Sequence, residues 1–332
     1  MTFADVIGFL NRDNLSPIID VRSPAEFLQG HIPGAHNIPL FTDDERARVG
    51  TCYKKQGHDP AVQLGLSIVG PKVHLLADEL RALAGDAKSL RVLCFRGGMR
   101  SSSMIGLASL LGIRCMQLKG GYKAFRRYCA HLFTQQRNWK VIGGYTGSGK
   151  SELLRLLKMR KSHVLDLEML ANHRGSTFGA FQNSFCPTTE QFENMIAFEL
   201  KDIPQDAPIF VEDESRMVGS CVIPHTLFQA LIQSKLYFLT CSLDERIARI
   251  LEEYGSITKD TFVQLLNNLY KRLGREKVSF ITKCVDEGSL DIAVSTLLEY
   301  YDARYDHALQ KQKRCVSVVD KEELLNDASR NP

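Results

Sequence analysis

The sequence predicts an α/β protein built from two consecutive parallel-sheet domains, and three observations carry that expectation. Short apolar runs alternate with helical patterns through both halves of the 332 residues, the pattern that strand–helix–strand crossovers impose on a parallel sheet. The length accommodates about two domains. Each half also holds a glycine-rich basic loop between an apolar run and a helical pattern, and the carboxyl ends of parallel strands are where such sheets receive ligands.

In the first half, Pro17 to Asp20 reads as a buried strand, Val73 to Leu83 as an amphipathic helix, and Arg91 to Cys94 as a second strand. A helix is expected from Ser101 to Leu111, then a strand from Arg114 to Leu118 closed by Gly120 and Gly121. After the basic segment Lys123 to Arg137 the alternation resumes. Expected strands are Trp139 to Gly143, His163 to Leu167, Ile209 to Glu212, Lys235 to Cys241 and Cys315 to Val319, with helices at Leu243 to Glu253 and at residues 261–273. The boundary falls near Gln136, giving domains 1–135 and 136–332.

Composition narrows the class. An apolar fraction of 44% and a charged fraction of 24% suit a soluble globular chain. No apolar run approaches the roughly 18 residues of a membrane span. The opening residues carry Asp5, Arg12 and Asp13 and have no basic n-region or small-residue cleavage site, so no secretory leader is expected. Nine cysteines stand singly with no C-x-x-C pair, which argues against a disulfide framework or zinc site and for a reducing cytoplasm.

Charge is distributed unevenly. The net charge is +4, yet the first 138 residues hold 18 Lys/Arg against 11 Asp/Glu, and Ala87 to Ser151 contains twelve Lys/Arg and no acid. Such a field suits phosphate-bearing ligands, nucleic acid included. Arg126, Arg127 and Arg137 are its candidate nucleic-acid contacts.

The first loop is Cys94-Phe-Arg-Gly-Gly-Met-Arg-Ser101. Thiolate is the reactive form of cysteine, and positive charge or a helix N-terminus favours it. Gly97 and Gly98 let backbone N–H groups converge into an anion nest, and Arg96 and Arg100 add charge. Cys94, Arg96 and Arg100 are therefore the candidate catalytic set. Arg100 stands six positions after Cys94, a C-x5-R spacing shared with cysteine phosphatases and wide enough for a tetrahedral anion. That reading competes, although Leu93 stands where such phosphatases commonly place histidine and no general acid follows.

The second loop, Gly144-Tyr-Thr-Gly-Ser-Gly-Lys-Ser151, satisfies G-x-x-x-x-G-K-[ST]. Gly144, Gly147 and Gly149 would let the backbone cradle phosphates, Lys150 would reach the terminal ones, and Ser151 would be available to Mg²⁺. Glu212, Asp213 and Glu214 follow an apolar strand, where a metal-directing carboxylate sits in such domains. Asp166 closes another strand beside Glu168, and Arg174 could clamp a phosphate bidentately. Arginine-bearing helical patterns at Ser242 to Ile250 and Tyr270 to Lys277 also fit a P-loop kinase or NTPase.

The segments Asp20 to Leu40 (DVRSPAEFLQGHIPGAHNIPL), Cys94 to Ser101, and Leu118 to Phe125 (LKGGYKAF) together resemble a rhodanese domain. That resemblance implies Cys94 as carrier of a persulfide or its selenium counterpart. The single-domain sulfurtransferases of that family commonly place the arginine five residues after the cysteine, one fewer than here. Adding DLEMLANHRGSTFG (166–179), VEDESRMVG (211–219) and YYDARYDHAL (300–309), the chain resembles the tRNA 2-selenouridine synthase family over nearly its whole length.

This second resemblance implies a tRNA-modifying transferase that replaces the sulfur of wobble 2-thiouridine with selenium. It implies selenophosphate and geranyl diphosphate as co-substrates, S-geranylation as the intermediate step, Mg²⁺ as a candidate ion and no organic cofactor. Cys94 would handle selenium, and Lys150 and Ser151 would hold geranyl diphosphate. Partners would be tRNA and, as a supplier, selenophosphate synthase. The alternatives are a P-loop kinase or NTPase carrying a sulfurtransferase domain, a rhodanese-like cysteine phosphatase, and a non-catalytic tRNA-binding module.

Overall fold

The computed structural model describes residues 2–11, 15–173, 186–254, 266, 270 and 273–330. The chain forms two compact units, Met1–Leu132 with Glu193–Phe198, and Phe133–Phe192 with Glu199–Pro332.

The first unit is built on β1 (Thr2–Ala4), β2 (Ile18–Asp20), β3 (Ala35–Asn37), β4 (Ser89–Leu93) and β5 (Arg114–Leu118). They form one sheet in the order β1-β5-β4-β2-β3, every pairing parallel. Strand β2 is buried along its whole length, as a central strand covered on both faces should be. Ile19, Val21, Leu80, Leu90, Val92, Met104 and Ile105 fill one core. Asp20 pairs in register with Leu93, so the ends of β2 and β4 release their loops side by side.

Helix boundaries follow local chemistry. Thr42 and Glu45 form a capping box, three acids occupy the first turn of Asp43–Gln56, and Lys54 and Lys55 occupy its last, each placed to suit the helix dipole. Pro24 opens Pro24–Gln29, and the Ser23 N–H donates to Glu26 Oε2 at 3.2 Å. The helix after the cysteine loop begins at Met99, two residues earlier than expected. Arg100 and Ser101 therefore lie in its first turn.

The second unit carries β6 (Asn138–Gly143), β7 (His163–Leu165), β8 (Pro208–Glu212), β9 (Met217–Val218), β10 (Cys221–Val222), β11 (Leu236–Leu239) and β12 (Val316–Val319). Its five-stranded sheet has the order β12-β11-β6-β8-β7 and is parallel throughout. The strand expected to reach Leu167 stops at Leu165, because Asp166 turns to cap the short helix Leu167–Leu170 and accepts the Met169 N–H at 2.8 Å. β9 and β10 make a separate antiparallel ribbon.

Leu153, Leu154 and Leu157 of the helix Lys150–Met159 pack with Ile142 and Phe210 of the sheet. The phosphate loop thus joins a central strand to a helix buried along one face. The helix expected at 261–273 lies largely outside the described residues. Among the described residues, no helix is long and apolar enough to cross a membrane.

Candidate active sites: a cysteine loop and a phosphate loop

The cysteine loop is assembled by backbone packed on backbone. Tyr122 and Lys123 donate their N–H groups to the Cys94 and Phe95 carbonyls at 2.9 and 3.0 Å. The turn at Gly120 and Gly121 can approach this closely only without a side chain. A Cβ at Gly121, whose φ is +59°, would lie 2.2 Å from the Cys94 carbonyl oxygen and 2.5 Å from the Gly97 nitrogen. A Cβ at Gly97 (φ +67°) would meet the Leu118 carbonyl at 2.7 Å. The glycines of LKGGYKAF therefore serve the loop of CFRGGMRS.

Within that loop the Cys94 Sγ is buried and lies 3.2 Å from Ser101 Oγ. The Ser101 hydroxyl donates to the Gly98 carbonyl at 2.9 Å and accepts from Gln117 Nε2 at 2.6 Å. Gln117 is itself fully buried and also donates to the Gly97 carbonyl at 3.1 Å. Ser101 and Gln117 were not singled out from the sequence. The signal for Ser101 was its place directly after Arg100, but nothing local marks Gln117.

The two arginines of the loop differ. Arg100 is held by Glu26, its Nη1 donating to Oε2 at 2.6 Å. Burial works to raise the Glu26 carboxyl, but Arg100, the Ser23 N–H and Arg46 outweigh it and hold the group below its ordinary range. Arg96 is exposed beside the Phe95 ring. A buried pair supports the loop from behind: Arg22 donates bidentately to Asp20, caps the Gly30 carbonyl at 2.7 Å and stacks 3.7 Å above the Tyr122 ring.

In the second unit, β6 delivers Gly144 to Ser151 into the opening of Lys150–Met159. Lys150 Nζ folds back onto the loop, donating to the Gly144 and Tyr145 carbonyls at 2.7 and 3.2 Å. Burial pushes its pKa down, and the surrounding carboxylates, Glu214 and Glu168 foremost, push it back up. The Ser151 hydroxyl points to Glu168 Oε2 at 3.5 Å.

The three acids after β8 have three different fates. Glu212, in register with Ile142 of β6, is buried; its Oε1 accepts the Glu168 N–H at 2.7 Å and its Oε2 has no partner among the described residues. Burial, reinforced by Asp166 and Glu168, drives its pKa well above the carboxylate range. Glu214 is pushed up to about 8 by burial and by Glu168. Asp213 accepts Tyr305 OH at 2.7 Å and is ion-paired with the buried Arg314.

The expected nucleic-acid contacts separate in the same way. Arg126 is ion-paired with Glu193 and donates to Asn194 Oδ1 at 2.6 Å. Arg137 donates to the carbonyls of Leu200 and Ile203 at 3.1 and 3.2 Å. Both are thus engaged by partners more than 60 residues away, which an acid-free stretch of sequence cannot reveal. Arg127 is exposed. Arg174 lies outside the described residues.

A parallel-sheet domain with a cysteine loop, joined to one with a phosphate loop and a buried acid on the adjacent strand, is a rhodanese-like domain coupled to a P-loop-type α/β domain. Residues 2–128 match the family model of the rhodanese-like domain, and residues 137–331 match that of the tRNA 2-selenouridine synthase AAA domain. The chain is 33% identical to the tRNA 2-selenouridine synthase of Psychromonas ingrahamii over 90% of its own length and 89% of that protein's. It is 37% identical to that of Hydrogenovibrio crunogenus, covering 90% of both chains. With the one from Pseudomonas putida W619 the identity is 35%, over 94% and 92% of the two lengths. The chain belongs to the tRNA 2-selenouridine synthase family.

Proposed function

We infer that this protein modifies tRNA, exchanging the sulfur of wobble 2-thiouridine for selenium through an S-geranyl intermediate. The observation that supports the reading best is the joining, in one member of this family, of a cysteine nest and a phosphate cradle. Geranylation comes first: the thiocarbonyl sulfur attacks C1 of geranyl diphosphate, the C–O bond breaks, and diphosphate leaves. Alkylation turns sulfur into a competent leaving group. Selenophosphate then adds through its selenium at C2 of the base and geranylthiol departs; water cleaves the remaining P–Se bond, releasing phosphate and leaving 2-selenouridine.

Lys150 and the loop amides suit the diphosphate, and Cys94 suits the selenium step. Mg²⁺ binds diphosphates through few protein ligands and several waters. Ser151 and the unpartnered Glu212 Oε2 are oxygen donors of the right kind to hold it. When bound it would neutralise charge on the departing diphosphate. Among the described residues, no group of three or more His, Cys, Asp or Glu has metal-holding geometry, which is compatible with an ion held mainly by its substrate. The setting would be the cytoplasm, where tRNA and selenophosphate synthase are found.

The test is a two-stage reaction with purified protein and 2-thiouridine-bearing tRNA, followed by nucleoside mass spectrometry. Geranyl diphosphate alone should yield S-geranyl-2-thiouridine, and added selenophosphate should convert it to 2-selenouridine. ATP turnover without either product would favour the kinase or NTPase alternative instead.

A further inference from the structure

The helix Leu243–Tyr254 lies against the phosphate loop and presents two arginines one turn apart on the loop side. They are in opposite states. Arg246 is buried and spent: Nη1 and Nη2 grip Asp302 at 2.8 and 2.7 Å, and Nε donates to the Thr146 carbonyl at 2.9 Å. It is a strut that fixes the helix to the loop. The contact is tight, since a Cβ at Gly147 would meet the Arg246 carbonyl and Ile250 at 3.0 Å.

Arg249 is half-buried and largely unspent. Its Nη1 donates to the Gly147 carbonyl and to Cys241 Sγ. Its Nε and Nη2 have no hydrogen-bond partner, and no carboxylate lies within ion-pair distance, among the described residues. Glu245 and Glu152 act on Arg249 electrostatically without forming an ion pair, and Glu245 accepts the Ser242 N–H and hydroxyl at 3.0 and 2.8 Å. The guanidinium stands over Gly149, the residue before Lys150, where a Cβ would lie 3.3 Å from Cζ and 3.5 Å from both terminal nitrogens.

A guanidinium has five donors and fits phosphate oxygens bidentately, and a neutral carbonyl is a weaker acceptor than a phosphate. We propose that Arg249 is a second cationic ligand of the phosphate loop, exchanging the Gly147 carbonyl for the terminal phosphate of a diphosphate-bearing substrate that Lys150 also holds. The inference rests on the proposed assignment of this loop to a diphosphate. Arg246 positions the helix, and Arg249 touches the ligand.

The experiment is calorimetric titration of the full chain with inorganic pyrophosphate, alongside thermal melting without ligand. R249Q should bind about 10- to 100-fold more weakly than the unsubstituted chain, the range expected for losing charge-assisted hydrogen bonds. R249K should recover part of that loss, because a point charge remains. The unliganded melting temperature should not move in either variant. Unchanged affinity in R249Q overturns the inference and leaves the loop assignment standing. Equal losses in R249Q and R249K with a lowered unliganded melting temperature also overturn it, since Arg249 would then merely shape the loop. If the unsubstituted chain binds no pyrophosphate, the loop assignment fails, and this inference with it.

Discussion

The cysteine loop and the phosphate loop are built by opposite means. Around Cys94 the scaffold is backbone against backbone with a Ser–Gln hydroxyl–amide relay, and the flanking carboxylate, Glu26, is held ionised by Arg100. Around Lys150 the scaffold is a cluster of carboxylates, Glu212 buried and the others half-buried, and Glu212 and Glu214 are pushed up by burial and by neighbouring acids. The first site is built for shape and the second for charge. On the proposed function, shape suits a nucleophile that must be aimed, and charge suits a diphosphate that arrives with its own cation.

The contrast breaks first on geometry. Gly121→Ala should cost about 2–5 kcal/mol of first-unit stability, summing left-handed strain with a clash against fixed backbone. Gly34→Ala is the control: its φ is +79° but nothing lies within 4 Å of a new Cβ, so only about 1 kcal/mol of strain should appear. Denaturant melts of both variants measure the difference. Equal losses would mean that the close backbone approach contributes nothing to the loop.

Next in size, Lys150→Ala should weaken pyrophosphate binding by about 100-fold, through loss of the charge that the loop itself orients. Folding should survive, because among the described residues Lys150 hydrogen-bonds only to carbonyls of its own loop and the nearby Glu212 and Glu214 are held toward their neutral forms. Binding that stays intact would move the diphosphate elsewhere.

The smallest effects sharpen the comparison through pH. The folded-state pKa of Glu26 lies below its unfolded value, so its stabilisation is present above about 4.5 and is lost as pH falls through the lower folded value. Glu214 runs the other way. Its carboxyl is raised to about 8, so the folded state holds the extra proton and loses that contribution as pH rises from about 4.5 to about 8. Glu26→Gln should remove about 1 kcal/mol of acid-sensitive stability, and Glu214→Gln should flatten the downward slope between pH about 4.5 and about 8. Melting curves across pH for each variant check the signs; slopes of the same sign would erase the proposed contrast.

Both loops were legible because each is a contiguous run whose chemistry is local. Glycine, lysine and serine at fixed spacing after an apolar strand identify a phosphate cradle without knowledge of the rest of the chain. What escaped was whatever depends on partners distant in sequence. The sequence offers Glu212, Asp213 and Glu214 alike for a metal, and only the fold shows that both Asp213 oxygens are hydrogen-bonded by Tyr305 and Arg314, 92 and 101 residues away. Arg126 looked available until Glu193 met it. The strands Thr2–Ala4 and Ala35–Asn37 have three residues each, too few for any periodicity to register.

The central claim is that the two loops serve separable steps, and one measurement tests it most directly: nucleoside mass spectrometry of tRNA from cells whose only copy of the protein carries Cys94→Ser. Serine is nearly isosteric, so the nest and its hydrogen bonds should persist while the polarisable thiolate is lost. S-geranyl-2-thiouridine should accumulate and 2-selenouridine should disappear. Retained 2-selenouridine would show that selenium is handled without Cys94, and loss of both nucleosides would show that the cysteine loop serves either step.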